Sequence, residues 1–307
     1  MKNSILILVD LSENTVHVAE MATIIAGQLQ KNLLLLNCNE TISAVTYYPI
    51  VPVMSEAPTW LEDREVKLQI LSDHLNHHFE VSFPGQPKPV IKTLIREGDL
   101  YANIKELLKE LPIDFIAMGG RSGSSVENYL FGSDTKVVTD HAPIPVLIIP
   151  KTSKLRHVKK ITFATNLIKQ DIAALQFLVN LRNDLGAQLE IVHIKKYGET
   201  SKPKNSQVQQ AITETCAPNS PVILYNEVYG KHIVSRLNAY CKGNGSDIIA
   251  LSHAHHSFLF RALREGTVDQ SLSDHQIPLL IIPELKAEKG THTDSIAELS
   301  SIVLSNG

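Results

Sequence analysis

The sequence predicts an α/β protein built from two tandem open parallel-sheet units, with helices on both faces of each sheet. Three observations carry this. Short continuous apolar runs such as Ile5, Leu6, Ile7, Leu8 and Val9 stop at a polar residue, as strands covered on both faces do. Apolar residues at helical spacing follow each run, giving the strand and helix alternation of a doubly wound sheet. The series then occurs twice within 307 residues, and at about 150 residues per domain that length suggests two domains.

The first strand ends at Asp10, and Val18, Ala22, Ile25, Ala26 and Leu29 mark a helix behind a Ser12/Asn14 cap. Leu33 to Leu36 form the second strand. The middle of the chain repeats this pattern. Ile161 to Asn166 is a strand, Leu175, Leu178, Val179 and Leu185 mark a helix after Asp171, Gly186 supplies its stop, and Leu189 to Val192 is the next strand. Asp10 and Asn166 lie 156 residues apart, as do Leu33 and Leu189.

Later elements repeat at a different interval. Asp114 to Met118 matches Asp247 to Leu251, and Pro145 to Pro150 matches Pro278 to Pro283, both 133 residues apart. The first copy therefore carries about 23 extra residues, placed between Thr41 and Pro89. A Pro-rich stretch with Tyr47, Tyr48, Pro49, Pro52, Pro58 and Trp60 reads as an extended loop, and Leu61, Leu68, Leu71, Leu75 and Phe79 as the helix after it. Asp73, His74, His77 and His78 fall on that helix and read as an exposed face. Units of 1–152 and 153–284 follow, joined by a short basic linker at 151–157, with a polar tail at 285–307.

Composition excludes several functions. Apolar residues at 43% and charged residues at 20% describe a folded globular chain rather than a disordered one. A net charge of -3 gives no electrostatic case for nucleic acid or an anionic membrane. Cys38, Cys216 and Cys241 are too few and too scattered for a disulfide framework or a thiolate zinc site, which fits a reducing cytoplasm. The first apolar run is too short for a signal peptide or a membrane span.

Chemistry in such sheets sits beyond the carboxyl ends of the strands, where strand order reverses. That points to Asp10 and to the loop after Met118, which runs Gly119, Gly120, Arg121, Ser122, Gly123, Ser124, Ser125. Gly132 and Ser133 follow, with Ser133 placed to cap a helix beginning at Asp134. Small residues let backbone amides approach an anion, although a glycine turn and a capping serine also occur without any ligand. The loop is neither a GxxxxGK[ST] phosphate loop nor a Rossmann fingerprint. It also lacks nucleophile-elbow spacing, and no triad can be assigned.

Asp10, the glycine signature from Gly119 to Ser133, and the terminal run from His141 through Pro145 to Pro150 together resemble the universal stress protein family, over both units. The resemblance implies a Rossmann-like, adenine nucleotide alpha hydrolase-like fold. It also implies a site for ATP or a related adenine nucleotide, with or without Mg2+. Asp10 would take the adenine, and Gly119, Gly120, Ser122, Gly123, Gly132 and Ser133 the ribose and phosphates. The family spacing Gly-x2-Gly-x9-Gly-Ser/Thr is not matched in full. Either Ser122 replaces the second glycine, or the signature starts at Gly120 and continues at Gly123. The family pairs its last strands in dimers, which implies pairing of Val146–Ile149 with Leu279–Ile282 inside this chain as a pseudo-dimer, with homodimerisation a further option.

The second copy departs further. Ser252, His255, Glu265 and Gly266 stand where the first has Gly119, Ser122, Gly132 and Ser133, and Asn166 stands for Asp10. Glu265 would repel phosphate, so this unit is expected to be a degenerate partner. His253, His255 and His256, with His193, are metal-ligating in type, but their spacing is not a strong zinc pattern, and a polar loop or another small ligand is the favoured reading. The expected activity is binding-dependent signalling to an unnamed protein partner. A scaffold without nucleotide, or a slow ATP hydrolase, are the alternatives.

Overall fold

A computed structural model describes residues 3–39, 59–120, 132–165, 168, 171–195, 223–230, 233–253 and 276–284. In chain order the first half contains β1 (Ser4–Leu8), α1 (Thr15–Leu29), β2 (Asn32–Asn39), α2 (Thr59–Ser82), β3 (Ile91–Glu97), α3 (Leu100–Glu110), β4 (Ile113–Gly119), α4 (Ser133–His141) and β5 (Val146–Ile149). The second contains β6 (Lys160–Thr165), α5 (Asp171–Leu185), β7 (Gln188–Lys195), β8 (Ile223–Tyr229), α6 (Ile233–Gly243), β9 (Ile248–Ser252) and β10 (Leu279–Ile282). Ser122, Gly123, Asn166, His255, His256, Glu265, Gly266, the Pro-rich stretch before α2 and the tail at 285–307 lie outside the described residues.

All ten strands form one sheet, ordered β3-β2-β1-β4-β5-β10-β9-β6-β7-β8. The second five repeat the order of the first five as a mirrored series. Neighbours are parallel except at the centre, where β5 and β10 run antiparallel with Leu147 opposite Leu280. This is the pairing of last strands expected above. It removes two apolar edges from solvent, for every residue of β5 and β10 is buried.

The apolar strands are sandwiched as their sequences require. On one face α1, α2 and α5 cover Ile5, Ile7, Leu33, Leu35, Ile161 and Phe163; on the other, α3, α4 and α6 cover Leu6, Leu34, Ile116, Ile148 and Leu279. Each layer runs through both halves. The linker helps to join them: Leu155 is buried and its amide reaches the Met21 sulfur, while Gln28 of α1 exchanges two hydrogen bonds with the Val158 backbone.

α2 lies where the insertion predicted a helix and buries Leu68, Leu71, Leu75 and Phe79. Its Asp73, His74 and His77 are exposed as expected, with His74 Nε2 2.7 Å from Glu20 Oε1 of α1, whereas His78 is partly buried, its Nδ1 3.9 Å from the same Glu20 oxygen. Gly186 closes α5 at φ +65°, a left-handed position that glycine adopts without steric cost.

The Ser12/Asn14 cap is not formed. Asn14 occupies the cap position in helical geometry without a side-chain hydrogen bond, because Asp10 satisfies the start of the turn instead.

Candidate functional site

β1 and β4 are neighbours from which the chain winds outward in opposite directions, through β2 and β3 on one side and β5 on the other. Beyond their carboxyl ends lies a cleft of about 600 Å³, within the range of small-molecule sites. Asp10, Ser12, Asn14 and Thr15 line it from the turn after β1 and the start of α1, Gly119 and Gly120 form its floor at the end of β4, Gly132, Ser133, Asp134 and Thr135 come from the start of α4, and Leu36, Cys38 and Leu100 from β2 and α3.

The Asp10 wall is a tight turn. Leu11 sits at φ +58°, a conformation that costs a branched side chain roughly 1 kcal/mol and must be held by its surroundings. Asp10 holds it. Its Oδ1 accepts from the Ser12 amide at 3.0 Å and the Thr15 hydroxyl at 2.7 Å. Burial pushes the Asp10 carboxyl up, but the Ser12 and Thr15 hydrogen bonds outweigh it and hold the group below its ordinary value. Asp10 is therefore an anion at neutral pH. Behind it, buried Asn37 donates to the Val9 carbonyl at 2.6 Å and accepts from Arg64 at 2.5 Å, fixing the end of β1.

Gly119 has a steric reason to be glycine. A Cβ there would stand 3.1 Å from Asn14 Nδ2 and 3.2 Å from Val18 Cγ2, so a side chain would push α1 away or fill the cleft. Gly120 donates its amide to the Ile149 carbonyl and ties the floor to β5.

Ser133 does not cap α4, contrary to the sequence reading. Gly132 holds the cap position in extended geometry, its carbonyl accepting from Lys136 N, and Ser133 is the first helical residue. Its hydroxyl donates to Asp134 Oδ1 at 2.9 Å.

Cys38 is half-buried at the end of β2. Burial and the nearby Asp99 charge push its thiol up to about 11, so it lines the cleft as a neutral group.

At the corresponding place between β6 and β9, a buried hydrogen-bonded network occupies the end of the sheet. Asp171, which stands for Thr15, is 2% exposed and accepts from Thr165 Oγ1 at 2.6 Å, from the Ile168 amide at 3.1 Å and from Ser252 Oγ. Ser252 stands for Gly119, so a hydroxyl stands where the first unit has no side chain, and it bonds across to the helix.

His193, considered above with the histidine loop, approaches the Thr165 carbonyl through Nδ1 at 2.9 Å. His253 is buried, with Nε2 3.4 Å from Asp140 Oδ1 of α4. Among the described residues no group of three His, Cys, Asp or Glu side chains is arranged to hold a metal ion.

Of the residues singled out from sequence, the structure brings Asp10, Gly119, Gly120, Gly132 and Ser133 into one cleft. Sequence reasoning missed Ser12 and Thr15 as Asp10's partners, and Cys38, Asp134 and Asp171. The two- and five-residue spacings after Asp10 are those of a side chain that folds back on its own turn, and were the available signal.

Comparisons with known proteins agree with this architecture. Residues 1–150 match the model of the universal stress protein family. The fold is similar to a universal stress protein from Archaeoglobus fulgidus, 15% identical with a TM-score of 0.65, covering 92% of this chain and 99% of that one. It is also similar to a protein of unknown function from Pseudomonas aeruginosa, 16% identical with a TM-score of 0.54, covering 99% of this chain and 98% of that one. No curated protein matches the sequence. Residues 1–150 thus resemble the universal stress protein family, and the whole chain shares the fold of the similar structures.

Proposed function

We propose that this is a tandem universal stress protein whose first unit, 1–152, binds ATP or a related adenine nucleotide, and whose second unit, 153–284, is a partner without that site. The cleft at the β1/β4 switch point carries the reading: a carboxylate held by its own turn faces a glycine floor and the amino terminus of a nine-residue helix. Asp10 would accept from an adenine amine, and the backbone at Gly119, Gly120 and Gly132 leaves room for ribose and phosphate. Asp134, at the phosphate end, is also a hard oxygen donor of the type Mg2+ takes when it accompanies a nucleotide.

The second unit's closed network supports its assignment as a partner. Thr165, Asp171 and Ser252 satisfy one another where the first unit is open. Signalling by conformation has a structural route in α4. Its first turn lines the cleft, while its last turn carries Asp140 against His253 of the other half. A cytoplasmic location is part of the proposal, and among the described residues no helix is long and apolar enough to cross a membrane.

The test is isothermal titration of nucleotide-free protein with AMP and ATP. Saturable binding is expected, and its loss in D10A and in a bulky Gly132 variant that still melts cooperatively. Absence of heat at high concentrations of folded protein would refute the nucleotide reading and leave the scaffold.

A further inference from the structure

Resting on the adenine-nucleotide reading, we propose that Asp134 is a specificity residue that sets the cleft's preference toward weakly charged adenine ligands, such as the nucleoside and its monophosphate, and against metal-free triphosphate. Two observations at the helix end lead to this.

The first is the charge inventory of the cleft. Two carboxylates, Asp10 and Asp134, stand in its described lining. A triphosphate brings three to four further negative charges into that space. The monophosphate brings about two and the nucleoside none.

The second is the state of the α4 first turn. A helix amino terminus attracts an anion through unpaired amides and its partial positive charge. Here the second helical residue is itself an anion, in the turn where that attraction is strongest. Asp134 also engages the neighbouring hydroxyl, since it accepts a hydrogen bond from Ser133 Oγ at 2.9 Å. A phosphate arriving at Gly132 and Ser133 must win the hydroxyl from Asp134 and sit beside a like charge. A divalent cation between phosphate and carboxylate reverses the sign of that interaction, so triphosphate binding becomes conditional on metal while nucleoside binding does not.

The experiment titrates adenosine, AMP and ATP into the full chain and into D134N, with EDTA and then with Mg2+, at two salt concentrations. In EDTA the wild type is expected to bind ATP about tenfold more weakly than AMP, and D134N to tighten ATP about five- to tenfold while changing adenosine less than twofold. Raising salt should narrow the gap between wild type and D134N for ATP, because screening removes the repulsion that the substitution removes. Mg2+ should help ATP more in the wild type than in D134N. An ATP to AMP ratio unaltered by D134N, or tighter binding of metal-free ATP than of AMP to the wild type, would overturn the role of Asp134 and leave the adenine site standing. Failure of all three ligands to bind either protein would overturn both. The order of metal-free ATP and AMP on the wild type keeps the proposal open to refutation even if D134N proves less stable.

Discussion

At the scale of single residues, Asp10 and Cys38 show how one cleft sets two protonation states. Asp10 accepts two hydrogen bonds that favour its anion, so its pKa is lowered; Cys38 is flanked by burial and the Asp99 charge, and its thiol is raised to about 11. Cys38 is therefore expected to react slowly with iodoacetamide at pH 7.5, with less than about one thiol in a thousand ionised. Its rate should climb through pH 10 to 11. Cys241, on the buried face of α6 and pushed up to about 12, should be slower still. Peptide mapping by mass spectrometry checks the order, and rapid labelling of Cys38 at neutral pH would contradict the environment described. For Asp10 the sign is opposite. Its depressed pKa contributes stability above the ordinary carboxylate range, which is lost as pH falls through the folded value. The side chain is exposed, so D10N should alter the melting temperature little while removing nucleotide binding.

At the scale of elements, the two halves solve one packing problem differently. In the first, Leu6, Leu34, Leu94 and Leu107 pack together between the sheet and α3. In the second, the corresponding residues are Thr162, Glu190, Asn226 and Tyr240, with Lys160 and Asn244 added. Glu190 is 2% exposed and accepts from Tyr240 at 2.6 Å, Asn226 at 2.7 Å and Lys160 at 2.9 Å. Burial pushes the Glu190 carboxyl up, but the Tyr240, Lys160 and Asn226 contacts outweigh it and leave it below the ordinary value. Its contribution is thus present above about pH 4.5 and lost as pH falls below that. E190Q should flatten the acid limb of the stability profile. E190L alone should cost about 3–5 kcal/mol in urea unfolding, because it strands Lys160 and Tyr240. Copying the whole first-half set (K160S, T162L, E190L, N226L, Y240L, N244L) should recover most or all of that loss. A single E190L variant as stable as the wild type would show that the network contributes nothing.

These elements also show what the sequence revealed. The strands and their duplication were legible because apolar runs and constant offsets are local facts, and the helix of the insertion was legible from its spacing alone. Asp10, Gly119, Gly120 and Gly132 were legible as neighbours in one cleft because the switch-point rule places them there. The role of Ser133 was not, since whether a hydroxyl caps its helix or bonds its neighbour depends on the dihedral of Gly132. The buried network of the second unit joins Thr165, Asp171 and Ser252, residues up to 87 positions apart, and only the folded register brings them together.

At the scale of the whole molecule, the antiparallel pairing of β5 with β10 makes ten strands into one sheet and predicts how the halves behave when separated. Every residue of β5 is buried, and Leu147 meets Leu280 in register beside Ile5, Ala22, Leu181 and Leu185, where the remaining void is only about 20 Å³. A fragment of residues 1–152 keeps all five of its strands and both its helical layers, but exposes that edge and the apolar residues that α5 covers. An unpaired, flat, apolar edge is a template for another strand. The partner it fits best is one presenting the same pattern of Val146, Leu147, Ile148 and Ile149 in antiparallel sense, which a second copy of the fragment supplies about a two-fold axis. The fragment is therefore expected to be a dimer in light scattering after gel filtration, while L147D in the fragment shifts it toward monomer or insolubility. In the full chain the same substitution places a carboxylate in the seam opposite Leu280, where nothing described pairs with it, and should lower stability by several kcal/mol. A monodisperse, soluble monomer of 1–152 would mean that the edge is stable without a partner, and that the seam is a contact of two self-sufficient halves rather than a requirement of the fold.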